Sequence, residues 1–315
     1  MPRADARSPP TDHHCLMLLL FRFFSLWPLR ALHALGAALG WTVWALSPRY
    51  RATFRSNVAH AGITFEQARP AIAEAGRFVA ELPKLWMRPH GQSCLGNVKV
   101  TGQTHVEAAF AAGRGVIFFG PHAGSFELAP QVLAELYGPV TAIYRPARKP
   151  WLARLTQLSR QRPGMVAIPA SLSGIRQMYK ALKANAAVAL LTDQVPPEGL
   201  GVWAPFFGKS AYTMTLAARL ALQTGAALLP VRLLRLPRGA GYDMEILPPL
   251  NGLTTTPPPD LLQAVTLVNQ CIESLVLSQP GQYLWAYSRY KKPRGMPAAP
   301  ANAADASAND GREST

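Results

Sequence analysis

The sequence predicts an α/β fold: a mostly parallel central sheet flanked by helices, with an N-terminal membrane-anchoring helical segment ahead of it. Three observations point there. From residue 98 onward, short aliphatic runs alternate with helix-patterned runs, the signature of βαβ units. His122 and Asp193 each fall just after one of those runs, at the carboxyl end of a strand, where open parallel sheets gather their active residues. Before the alternation begins, residues 15–46 are mostly apolar.

In chain order, residues 1–14 are polar with paired prolines and are expected to be disordered. Arg22, Pro28, Arg30 and His33 divide the next apolar segment into stretches shorter than the roughly 20 residues of an ordinary spanning helix. Residues 15–47 are therefore read as a membrane anchor, either a kinked span near 16–35 or an interfacial segment. A buried helical hairpin and a cleaved signal sequence are the alternatives; the small residues 36–40 suit a signal. Against it, apolar character resumes through Trp41, Val43, Trp44 and Leu46. Arg49, Arg51 and Arg55 suit a cytoplasmic flank.

A 3.6-residue apolar period through Ile72, Ala75, Phe78, Val79, Leu82 and Leu85 predicts a helix over 65–88. Strands are expected at 98–101, 116–119, 140–144, 165–168, 188–191, 228–234 and 242–247, and helices around Val106 and at 151–160, 172–184, 213–223 and 261–277. The tail from Gly295 is rich in Ala, Pro and Ser without periodicity and is expected to be disordered, leaving 48–294 as one domain.

A formal net charge of +15 and a pI near 10.2 favour polyanionic partners. The lysines and arginines form no basic repeat, finger or single-strand-binding signature, so no nucleic acid is expected; a membrane surface carrying anionic lipid fits the basic residues and apolar start together. Cys15, Cys94 and Cys271 have no paired spacing and are read as reduced and structural. Asp193 and Glu198 make no metal cage, and neither metal nor cofactor is expected.

The run from Phe118 to Glu127 carries the chemistry. Gly120-Pro121 breaks the apolar strand, and His122 and Glu127 follow where a helix should begin. Histidine is the usual general base near neutral pH, and a carboxylate the usual group that orients it. Such a pair can deprotonate a hydroxyl that attacks an activated carbonyl, with no nucleophile from the protein. On one straight helix the two side chains would point about 140° apart. They meet only with His122 in the turn and Glu127 at the helix mouth, a placement that Pro130 in a first turn supports. A solvated loop histidine beside a helix-start glutamate is the alternative.

This segment resembles the H-x4-D/E signature of the lysophospholipid and glycerolipid acyltransferase superfamily. The resemblance extends in order over about residues 51–292 to the lipid A biosynthesis acyltransferases of the lauroyl/myristoyl transferase type. Tyr144-Arg145-Pro146, Asp193-Gln194, Pro205-Phe206-Phe207-Gly208, the stretch from Thr213 to Pro230-Val231, and Gln282-Tyr283-Leu284-Trp285 carry it. One departure stands out: where the family continues with a His and paired arginines, this chain has Tyr287 and then Ser288-Arg289.

The resemblance implies transfer of a fatty acyl chain from acyl carrier protein to a hydroxyl of a lipid A precursor at the cytoplasmic face of a bacterial inner membrane; the basic charge favours the acidic carrier protein over coenzyme A. His122 and Glu127 would be catalytic. Arg145, Arg160 and Asp193 would contact substrate, each with a structural alternative: a surface ion pair, a helix C-terminal cation and a turn aspartate. Phe206 and Phe207 would line an acyl groove or pack in the core. Oxyanion donors are sought among the backbone amides of the 120–125 turn, including Gly124 and Ser125, and an arginine; Ser125 is also a candidate cap. Tyr287 and Ser288 keep a glycerolipid, an aminolipid or another glycolipid open as acceptor. A basic membrane or nucleic-acid binder is the non-enzyme alternative.

Overall fold

The aliphatic runs pair edge to edge in the computed structural model, which describes residues 12–147, 149–160, 162–253, 259–293 and 295. The disorder expected of 1–11 and 296–315 lies outside the described residues. Five helices come first: α1 (Asp12–Ser25), α2 (Leu29–Leu46), α3 (Pro48–His60), α4 (Phe65–Ala68) and α5 (Pro70–Trp86). Then follow β1 (Val98–Thr101), α6 (Gln103–Ala111), β2 (Val116–Gly120), α7 (Ala129–Tyr137), β3 (Val140–Tyr144), α8 (Pro150–Arg160) and β4 (Met165–Pro169). The chain continues through α9 (Leu172–Lys183), β5 (Ala187–Leu191), β6 (Gly201–Phe206), β7 (Lys209–Met214), α10 (Leu216–Thr224), β8 (Ala227–Arg235), β9 (Tyr242–Ile246) and α11 (Leu261–Ser278).

Seven strands form one sheet in the order β1-β9-β8-β2-β5-β3-β4, parallel throughout except where β8 meets β9. The central strands are apolar at every position because both faces are covered. Ile117, Phe119, Val188, Leu190 and Leu228 pack in one core with residues of α9, α10 and α11. Their neighbours Val116, Phe118, Ala187, Ala189 and Leu229 point the other way, toward α5, α6, α7 and α8.

Two sequence expectations need correction. The helix expected from Thr213 begins at Leu216, because Thr213 belongs to β7, the second strand of a separate antiparallel hairpin. That hairpin turns on Phe207 and Gly208, both at positive φ (47° and 70°), the geometry a two-residue hairpin loop demands. In the N-terminal part, α1 already starts at Asp12, inside the stretch expected to be disordered, because the helix set by the apolar run from Leu16 extends back to it.

Residues 15–47 make two helices, broken between Ser25 and Leu29 ahead of Pro28. α2 buries Leu32, His33, Gly36 and Gly40, and it lies against α5 closely enough that Gly36, Gly40 and Gly76 touch backbone to backbone. Outward, Leu16, Leu19, Phe23, Leu26, Leu39, Val43 and Leu46 are exposed. Among the described residues, one helix, α11, has the length and apolar composition of a membrane span, and its apolar row (Val265, Val268, Ile272, Val276) fills the core.

A Cβ on Gly76 would collide with the carbonyl oxygen of Gly36 and the amide of Gly40. Gly76→Ala is expected to cost about 1–3 kcal/mol by overpacking. Urea denaturation checks this, with Gly91→Ala as control, since a Cβ there meets nothing within 4 Å.

Candidate active site

Register brings the candidate base to its partner. β2 and β5 are adjacent and parallel, with Gly120 opposite Leu191. His122 and Asp193 each lie two residues beyond that pair, so they emerge side by side at the carboxyl edge. Asp193 Oδ1 meets His122 Nδ1 at 2.6 Å, and Asp193 Oδ2 accepts from the His122 backbone N–H at 3.0 Å. Burial opposes ionisation of Asp193, but the imidazole and the hydrogen bonds prevail and hold its pKa below the ordinary carboxylate value. With Nδ1 engaged, Nε2 is the nitrogen left for proton transfer, and the His122 side chain keeps 17% of its surface exposed.

Glu127 makes a different contact. It pairs with Arg160 at 3.5 Å, and the Arg160 guanidinium stacks 4.3 Å from the centre of the Tyr144 ring. The reason lies in the turn. Gly124 adopts φ +58° and its amide donates to Gln282 O, while the Ser125 amide donates to Leu233 O. The segment after His122 is thus bound along the end of β8, and α7 starts only at Ala129, with Pro130 in its first turn as expected. Glu127 therefore reaches toward α8 instead of back to the imidazole.

The expected oxyanion donors are also engaged. The amides of His122, Ala123, Gly124 and Ser125 donate to Asp193, Pro121, Gln282 and Leu233. Ser125 is not a helix cap: its hydroxyl is fully buried and donates to Glu81 Oε1 at 2.7 Å. Arg160 and Arg232 are the arginines lining the cavity, whereas Arg145 is exposed beyond the end of β3. Phe206 is buried beneath the Arg289 guanidinium at 4.7 Å, and Phe207 packs toward Trp285, so both belong to the core and not to the cavity beside His122. That cavity runs between the carboxyl halves of β2, β3, β5 and β8, lined by Phe119, Phe126, Glu127, Tyr144, Arg160 and Leu190 among others.

Two supports went unread in the sequence. The first is a buried charged cluster behind the turn. Arg235 at the end of β8 donates to both oxygens of Glu81 (2.8 and 3.0 Å), to Glu74 at 3.2 Å and to the Gly124 carbonyl at 2.8 Å. Tyr242 and His33 also reach Glu81, at 3.2 and 3.1 Å. Burial pushes the Glu81 pKa up, but the Arg235 charge and the hydrogen bonds outweigh it, and the group stays below its ordinary value of 4.5. The available signal was a carboxylate in line with Phe78 and Leu85 on an apolar helix face, and an arginine closing an apolar strand.

The second support holds Asp193. Tyr283 is buried near Asp193, where burial and then the Asp193 charge raise the phenol's pKa, and Tyr287 Oη accepts the Val195 N–H at 2.9 Å, bracing the loop two residues on. Tyr287 is the residue that departs from the expected histidine, and here it is a structural brace. Cys94 and Cys271 are free, and burial raises both thiols to about 11, so neither is a ready thiolate nucleophile.

Paired carboxylate and imidazole at the carboxyl ends of adjacent parallel strands, beside an ion pair and a largely apolar cleft, define a site suited to general-base chemistry on an apolar substrate. The chain belongs to the bacterial lipid A biosynthesis acyltransferase family, whose model matches residues 6–292. It is 29% identical over 202 residues to a lipid A biosynthesis lauroyltransferase of Escherichia coli K12, covering 63% of this chain and 64% of that protein. A palmitoleoyltransferase of lipid A biosynthesis from the same organism is 31% identical over 193 residues, 61% of each chain. A phosphatidylinositol mannoside acyltransferase of Mycolicibacterium smegmatis is 28% identical over 239 residues, 70% of this chain and 77% of that one. The chain thus spans about three-fifths of the length of the E. coli relatives it matches.

Glu81→Gln should destabilise the fold by about 3–5 kcal/mol near neutral pH, since it leaves Arg235 buried without its main counter-charge. Glu81 has a depressed folded pKa, so its contribution is full above its unfolded value of 4.5 and is lost as pH falls through the folded value. The gap between wild type and variant in urea denaturation should therefore shrink from about pH 7 to about pH 3. Tyr287→Phe removes the acceptor of the part-buried Val195 amide, a loss of about 1 kcal/mol. It should lower kcat through a displaced Asp193 while leaving the secondary structure seen by circular dichroism intact.

Proposed function

We propose that the chain is a membrane-associated acyltransferase that moves a fatty acyl group from an acyl carrier protein thioester to a hydroxyl of a lipid A precursor. His122 Nε2 takes the hydroxyl proton as the oxygen attacks the thioester carbonyl carbon. Asp193 keeps the proton of the neutral imidazole on Nδ1 and stabilises the imidazolium that forms. The tetrahedral intermediate collapses with rupture of the C–S bond, and the imidazolium returns the proton to the departing thiolate. Glu127 positions Arg160, which faces the carbonyl oxygen as charge builds there. The acyl chain lies in the cleft beside Phe119 and Phe126.

The observation that carries this reading is the 2.6 Å contact of His122 with Asp193 in a member of this family. A direct transfer needs no acyl-enzyme, in keeping with buried Ser125 and neutral cysteines. The net charge of +15 favours both an acidic carrier protein and a phosphorylated glycolipid. The exposed apolar residues of α1 and α2 suit attachment to the cytoplasmic face of a bacterial inner membrane. A second reading changes only the acceptor to another glycolipid; the long alignment with the mycobacterial phosphatidylinositol mannoside acyltransferase favours keeping it.

His122→Ala is expected to lower acyl transfer by about 10²–10⁴-fold with little change in stability. Purified protein assayed with acyl carrier protein thioester and lipid acceptor measures this, and near-normal turnover would sink the mechanism. Mass spectrometry of lipids from a deletion strain identifies the acceptor and the missing chain. Serines at Leu19, Phe23 and Leu26 should release the protein from vesicles in a high-salt wash that leaves wild type bound, because salt strips charge contacts and not apolar insertion.

A further inference from the structure

A second cavity, of about 850 Å³, lies where the α1–α2 corner meets the end of α5. Its volume falls in the range of about 300–1,000 Å³ typical of small-molecule sites. Arg22, Lys84 and Arg88 line it, and no aspartate or glutamate does. Lys84 Nζ donates to the Trp27 carbonyl at 2.9 Å, and neither oxygen it touches, Ser25 O or Trp27 O, carries a formal charge. Arg88 Nη2 donates to Gln131 Oε1 at 2.8 Å, while its buried Nε and Nη1 donate to no oxygen among the described residues. Unpaired buried guanidinium hydrogens are costly, and an anion would satisfy them.

The neighbours offset this charge only in part. Cys94 borders the cavity, and burial raises its thiol to about 11, so it contributes no thiolate. Glu135, outside the lining, is the carboxylate whose charge reaches Arg88; its oxygen is taken up by the Cys94 N–H at 2.9 Å and the Cys94 thiol at 3.0 Å. Glu81 lies behind Tyr242 and is matched by Arg235. Arg162 adds a further cation nearby, donating to the Arg88 carbonyl at 2.6 Å. The remaining wall is apolar: Leu26, Leu29, Leu85, Met87 and Leu128. Leu26 is 80% exposed, on the same outward apolar surface as Leu19 and Phe23.

We infer that this cavity binds the phosphate of a lipid, with Arg22, Lys84 and Arg88 around the phosphate and the hydrocarbon chains running out past Leu26 along α1. Cations alone would suit any small anion; the exposed apolar lip selects one that carries acyl chains. Leu128 and Gln131 connect this cavity to the catalytic turn, since Leu128 lines it, Arg88 holds Gln131, and Gln131 lines the cleft beside Glu127. Binding here is read without turnover, so it stands apart from the acyl-transfer mechanism.

Short-chain phosphatidic acid, titrated by calorimetry into the full chain in nonionic detergent, should bind at one site per chain. Arg22→Gln and Arg88→Gln should each weaken binding about tenfold or more, as expected for loss of a charge-assisted contact. Arg49→Gln, which removes the same charge from α3 outside the cavity, should leave it unchanged. His122→Ala should also bind normally, which separates this site from the catalytic one. Should Arg88→Gln fail to fold, exposed Arg22 decides the question. Equal weakening by Arg49→Gln, or no effect of Arg22→Gln, would overturn the assignment. Inorganic phosphate binding as tightly as the lipid would point to a free anion and overturn it as well.

Discussion

Glu81 and Arg235 form the contact on which the arrangement of this chain depends. Both are buried, and their pairing joins three parts of the fold that are distant in sequence: α5, the end of β8 and the turn that carries His122. A buried ion pair of this kind contributes little net stability against an apolar substitute, yet breaking it is costly. Its value here is positional. Arg235 holds the Gly124 carbonyl and Ser125 donates to Glu81, so the residues just after His122 are fixed by hydrogen bonds that admit one geometry. His33 extends the same cluster to α2, which ties the helices with the exposed apolar face to the turn that carries His122. Residues 15–47 therefore serve the packing of the domain as well as any attachment to a membrane.

The other fixed relation is that of His122 and Asp193, and it is geometric before it is electrostatic. Parallel pairing of β2 with β5 leaves the two residues at equal heights above the sheet. The chain needs no elaborate loop to bring base and carboxylate together. It needs a loop to keep Glu127 elsewhere, which the positive φ of Gly124 and the bridges to Leu233 and Tyr283 supply. The outcome is two polar pairs at one cleft: histidine with aspartate, and arginine with glutamate.

Much of this was legible in the sequence. Strands buried on both faces read as continuous apolar runs, so all seven sheet strands could be placed within about two residues. The hairpin β6–β7 escaped because Pro205-Phe206-Phe207-Gly208 looks like a loop, and its turn relies on Phe207 taking a positive φ that aromatic residues rarely adopt. His122 was found from the broken strand before it. The carboxylate beside it was expected at Glu127 because spacing along the chain measures helical geometry, whereas Asp193 meets the ring across the sheet from a strand 71 residues away. Asp193 was noticed, but only as a substrate contact. Glu81, Arg235 and Tyr283 were missed because a buried network has no local pattern: each member is one polar residue in an apolar element.

Asp193, and not Glu127, holds the Nδ1 side of the His122 imidazole in the structure, and its control of the tautomer can be measured directly. Nitrogen-15 NMR of histidine-labelled protein near neutral pH reads the tautomer of His122 directly in wild type, Asp193→Asn and Glu127→Gln. The account requires the Nδ1–H tautomer in wild type, retained in Glu127→Gln and lost or mixed in Asp193→Asn. An imidazole that keeps its tautomer in Asp193→Asn but changes it in Glu127→Gln would contradict the account and return the glutamate to the role that its spacing first suggested.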